Sequence, residues 1–116
     1  MTIERKEVGP RMSQIVTHGN TVYLAGVVAK DPAGKSVADQ TKDILATIER
    51  YLGQVGSDKT KILSAVIWLS DIADFAAMNA VWDAWVVPGQ TPARATVQAR
   101  LNDPKMKVEI MVVAAR

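Results

Sequence analysis

The sequence predicts an α+β fold: a mixed β-sheet with two helices packed on one of its faces. Two stretches of the 116 residues repeat their apolar side chains at helical intervals, 37–55 and 75–85. Short runs rich in β-branched residues lie around them, at 14–29, 61–69, 93–101 and 107–114, bounded by glycine, proline and asparagine. The resulting order is strand hairpin, helix, strand, helix, strand pair. With both helices on one face, the sheet's other face needs cover from outside the chain, and another copy is the simplest cover.

Each element has a local cause. QIVTHGNTVYLAGVVA reads as two strands around Gly19 and Asn20, which tolerate the backbone torsions of a tight turn. Gly26 interrupts the second strand, marking either a bulge or a place where a ligand comes close to the backbone. Asp31-Pro32-Ala33-Gly34 is a loop, and Ser36 with Asp39 caps the first helix. The inner stripe of that helix is Val37, Ile44, Leu45, Ile48 and Leu52, and Gly56 ends it. KILSAVIWL is a short apolar run with few polar interruptions, and its length and β-branched content read as a central strand. Asp71 and Asp74 open the second helix, whose stripe of Phe75, Met78, Val81, Trp82 and Trp85 reads as core packing. Asn102-Asp103-Pro104 is a turn joining the last two strands.

Composition removes several function classes. Fourteen basic and twelve acidic residues are scattered along the chain, so the net charge of +2 forms no patch to grip nucleic-acid phosphates. Glu4-Arg5-Lys6-Glu7 is the closest approach to a basic cluster, and it reads as a solvated face. The chain has no cysteine, which excludes disulfides and thiolate chemistry. It has neither a signal-peptide core nor an apolar run of about 20 residues, so a soluble, cytoplasmic protein without membrane contact is expected. His18 is the only histidine and lies at the hairpin turn, so no metal site and no catalytic triad is expected. The glycines lack the spacing of a phosphate loop, and no cofactor is implied.

Two charges remain in strands that otherwise look half-buried. Alternation along TPARATVQAR places Arg94, Thr96, Gln98 and Arg100 on one face, and KVEIMVV places Lys107, Glu109, Met111 and Val113 on one face. Paired antiparallel through the Asn102–Pro104 turn, the two strands would bring Arg94 and Glu109 within a few positions of each other. Such a pair is either a structural ion bridge or a site. In a site, the planar fork of an arginine holds a carboxylate by two parallel bonds, and a glutamate orients a water or carries a proton.

RMSQIVTHGNTVYLAG near the start, DFAAMNAVWDAW in the second helix, and PARATV followed by KVEIMVVA resemble the RidA/YjgF family over nearly the whole length. That resemblance implies one domain over 1–116, a chorismate-mutase-like fold and a homotrimer with a central β-barrel and clefts between subunits. It implies hydrolytic deamination of reactive enamines and imines, of the 2-aminoacrylate and 2-iminopropanoate type, to 2-oxo acids and ammonia. A small-carboxylate sensor without turnover is the alternative. By resemblance Arg94 grips the substrate carboxylate, Glu109 positions the attacking water, and Gly26 and Thr96 offer backbone groups to the ligand. Met12 stands where well-known members have a tyrosine, and Thr96 where they have a cysteine. The first departure bears on substrate range, and the preferred substrate side chain is not legible.

Overall fold

In the computed structural model, which describes residues 1–116, seven strands and two helices form two layers. β1 (Ile3–Val8), β2 (Ser13–His18) and β3 (Thr21–Leu24) make an antiparallel meander, and β4 (Val27–Val28) continues β3 along the same neighbour. α1 (Val37–Gln54) leads to β5 (Ile62–Leu69), and α2 (Phe75–Trp85) connects β5 to β6 (Ala93–Gln98). The last strand, β7 (Val108–Ala115), inserts between β3 and β5, giving the order β1-β2-β3-β7-β5-β6. No helix is long and apolar enough to cross a membrane.

The last two strands are therefore not partners, contrary to the expectation from the turn between them. β6 runs parallel to β5, and β7 runs antiparallel to β5 on its other side. Parallel neighbours cannot be joined by a tight turn; they need a crossover, and α2 supplies it. The loop that holds Asn102–Pro104 clasps the end of β5 instead. Ala99 donates its N–H to the Leu69 carbonyl (2.9 Å), and Ser70 donates to the Lys107 carbonyl (3.0 Å).

β1 is a second departure. Its residues, IERKEV, are all exposed, so it has no buried row to show as alternation. It is an edge strand held by backbone pairing, from Ile3 opposite His18 to Val8 opposite Ser13.

The helix signals hold. Ser36 Oγ accepts the Asp39 N–H at 3.1 Å, and at the far end Gly56 takes φ +77 while Ser57 donates to the Leu52 carbonyl at 2.9 Å. Between these caps Ile44, Leu45, Ile48 and Leu52 are buried against the sheet, each worth about 1.5–3 kcal/mol relative to exposure. Gln40 is buried with them. Its Nε2 donates to the carbonyls of Pro32, Lys35 and Lys105, and its Oε1 accepts the Lys107 N–H at 2.9 Å. One carboxamide thus ties α1 to the loop before it and to the chain entering β7.

Register decides which strand residues face the helices. Ile15, Val22, Leu24, Ala65, Ile67 and Ile110 form the buried rows. The opposite rows hold Val16, Tyr23, Val66, Trp68, Met111 and Val113, and no element of the chain covers them. Tyr23 is 47% exposed on this bare apolar face, and Val97 on β6 is 46% exposed.

Candidate functional site

Arg94 pairs with Ala65, a residue of the helix-side core, so its side chain emerges on the face that α2 covers. There its guanidinium carbon lies 5.2 Å from the centre of the Trp82 ring and 5.8 Å from that of Phe75. These are cation–π distances. No carboxylate stands against it: the one ion pair in the molecule joins Lys59 to Glu49. None of the side-chain hydrogen bonds of the fold involves it either. A half-buried guanidinium with its donors unspent is costly, because a charge withdrawn from water ordinarily acquires a partner.

Thr96 lies two residues along the same row, opposite the buried Ile67. Its Oγ1 is out of contact with solvent and has no hydrogen-bond partner. Buried polar atoms are nearly always paired, so an orphan beside an orphan cation is informative. Gln98 ends the row. Its Oε1 accepts the Ile72 N–H at 2.9 Å, binding the end of β6 to the 3-10 turn (Ile72–Asp74) that opens α2.

Glu109 pairs with Trp68 and so projects on the bare face, opposite to that of Arg94. Strand rise and spacing alone separate the two Cα atoms by roughly 14 Å. The expectation that Arg94 and Glu109 approach each other across a shared hairpin fails, because β5 stands between their strands. It also removes the structural ion bridge as an account of either charge.

Gly26 belongs with Glu109. From Tyr23 opposite Val113 to Val27 opposite Ile110 the pairing gains one residue on the β3–β4 side, so Ala25-Gly26 is a β-bulge. Over the bulge lies the Glu109 side chain, with its carboxylate where a Gly26 Cβ would be. Of the two sequence readings of Gly26 the structure shows the bulge, and the group that comes close to its backbone is the Glu109 side chain of the same chain. Met12 is 55% exposed in the β1–β2 connection. Ala25 donates to the Gln14 carbonyl at 3.0 Å, which sets the start of β2 beside the bulge.

The five residues singled out by sequence thus divide into two groups on opposite faces of the sheet. Arg94 and Thr96 lie under α2, and Gly26 and Glu109 lie on the bare face, with Met12 in the connection that leads into β2. Phe75 and Trp82 were legible only as core stripe. Their link to Arg94 required knowing that α2 crosses above β6. A hollow of about 720 Å³ is an apolar trough between α1 and α2 lined by Leu45, Ala46, Val81 and Ala84, and it contains none of these five residues.

Fold and geometry define a small α+β protein with an unpaired cation under its crossover helix and a glutamate folded over a strand bulge. The chain belongs to the RidA/YjgF family. The family model described as Endoribonuclease L-PSP matches residues 4–116. The RutC family protein YoaB of Escherichia coli (strain K12) is 50% identical over 115 residues, covering 99% of both chains. The crystal structure of a YjgF-family member from Neisseria meningitidis superposes with a TM-score of 0.96 at 46% identity, covering 100% of this chain and 96% of the other. A goat (Capra hircus) protein named 2-iminobutanoate/2-iminopropanoate deaminase is 32% identical, covering 94% of this chain and 82% of that protein.

Proposed function

We propose that this protein hydrolyses reactive 2-imino acids, and the enamines that tautomerise to them, to the 2-oxo acid and ammonia. The observation that carries the reading is Arg94, a half-buried guanidinium held against two aromatic rings with no acceptor in its own chain. A carboxylate satisfies it by two parallel charge-assisted bonds. The name of the goat relative supports the same substrate class.

The chemistry asks little of the protein. Imines hydrolyse in water unaided, so catalysis consists of holding the substrate and aiming one water. Arg94 holds the carboxylate. Glu109 orients the water and takes its proton as oxygen bonds to the iminium carbon; that proton passes to nitrogen, the C–N bond breaks to release ammonia, and the Glu109 carboxylate takes the remaining hydroxyl proton as the carbonyl forms. Backbone groups at Gly26 and Thr96 bracket the ligand, and Met12 forms part of the wall that meets its side chain.

A three-carbon acid cannot touch Arg94 and Glu109 of one chain across the thickness of a sheet. In this reading the site is completed between copies, with Arg94 and Thr96 from one and Gly26 and Glu109 from its neighbour, in a homotrimer whose bare sheet faces form a central barrel. The exposed apolar face that carries Tyr23, Val97 and Met111 supports that assembly.

The test supplies 2-imino acids in situ from an amino-acid oxidase and follows ammonia release; in parallel reactions semicarbazide captures the imine, and the semicarbazone formed falls as the imine is hydrolysed. Wild-type protein should speed the reaction over the buffer background, and Arg94→Ala should not. Binding of the product 2-oxobutanoate without any acceleration would instead identify a carboxylate sensor.

A further inference from the structure

The aromatic contacts of Arg94 do more than fill space. Phe75 and Trp82 stand two helical turns apart on one side of α2, and both rings lie against the same guanidinium. Trp82 is 5% exposed and fixed in the core, whereas Phe75 is 40% exposed at the edge of the helix. The start of α2 is pinned to the strand that carries the arginine by Gln98, which accepts from Ile72, and the turn before it is capped locally by Asp71 Oδ1, which accepts the Ala73 N–H at 2.9 Å. Ring, helix and strand therefore form one rigid frame around a side chain that is otherwise long and flexible.

An aromatic face attracts the guanidinium charge and leaves its N–H groups free. A carboxylate or amide in the same place would consume the donors that the substrate needs. We propose that Trp82 and Phe75 are positioning residues that hold the Arg94 fork oriented for a carboxylate before substrate arrives. The proposal rests on Arg94 being the carboxylate anchor. It assigns to the helix stripe a role in binding as well as in the core, because a pre-set fork loses less freedom when the ligand docks.

Four variants test it: Phe75→Leu, Trp82→Leu, Trp82→Phe and Arg94→Ala. Each is titrated with 2-oxobutanoate by NMR and assayed for kcat and KM on 2-iminobutanoate, with thermal melts to verify folding. Phe75→Leu and Trp82→Leu should raise Kd and KM about three- to thirtyfold, the range of one cation–π contact, with kcat within about twofold of wild type. Trp82→Phe, which keeps an aromatic face, should recover most of the loss. Should Trp82→Leu fail to fold, Phe75→Leu at its exposed position carries the test. Unchanged Kd and KM in folded Phe75→Leu and Trp82→Leu, or no recovery in Trp82→Phe, overturns the positioning role while leaving the deaminase reading intact, provided Arg94→Ala has lost binding. Wild-type binding by Arg94→Ala overturns both.

Discussion

Arg94 is useful because nothing in its own chain satisfies it, and that makes its replacement informative. Lysine keeps the charge but loses the planar fork and the flat face that packs on Trp82, so Arg94→Lys should lower kcat/KM by at least about tenfold. Steady-state kinetics on the purified variant decide this, and undiminished kcat/KM would mean that charge alone suffices. Gly26 gives a cleaner separation of fold from function. An added methyl overlaps the Glu109 carboxylate, with Cδ at 3.1 Å and Cγ at 3.4 Å, yet the backbone there is outside the left-handed region. The obstacle is the far end of a flexible side chain, which can swing away. Gly26→Ala should therefore melt within about 1 kcal/mol of wild type while displacing Glu109 and losing ten- to a hundredfold or so in kcat. A thermal melt and a turnover assay on the same preparation read the two effects separately, and full turnover would show that the Glu109 pose over the bulge is dispensable.

At the scale of elements, local signals were legible where a residue acts on its own neighbourhood. Ser36 and Gly56 bound α1 because caps work within one turn, and the β5 run shows its burial in composition. β1 gave no such signal, since an edge strand with every side chain exposed has no buried face to alternate with. Gln40 was equally silent: its four bonds reach residues 32, 35, 105 and 107, the last two 65 and 67 positions away, and no helical pattern marks a buried carboxamide. It carries weight nonetheless, because it closes the entrance to β7 two residues before Glu109. Gln40→Leu keeps the volume but strands the Lys107 N–H and three carbonyls, and should cost about 1–3 kcal/mol in stability. Chemical denaturation measures this, and a change below about 0.5 kcal/mol would show that water replaces the carboxamide at no loss.

Over the whole molecule, what the sequence could not show is which strands lie together. A nine-residue connection containing Asn-Asp-Pro looks like a hairpin, but β5, whose residues precede their β6 partners by 29 positions, occupies the place between β6 and β7. The two candidate charges, Arg94 and Glu109, were found by alternation within their own strands, and their separation onto opposite faces followed only from long-range pairing. The resulting slab, 42 × 37 × 20 Å, exposes 6613 Å², where a folded monomer of 12.6 kDa exposes about 6200 Å². Its surplus is consistent with a bare sheet face that copies of the chain can share. If each complete site takes Arg94 from one copy and Glu109 from the next, two dead variants should repair each other. Arg94→Ala and Glu109→Gln, each inactive alone, are mixed in equal amounts, unfolded and refolded together. In a closed ring about one site in four then joins an intact arginine to an intact glutamate, and about a quarter of wild-type activity should return. Were both groups to act within one chain, every copy would carry one lesion, and the mixture would stay as inactive as its parts.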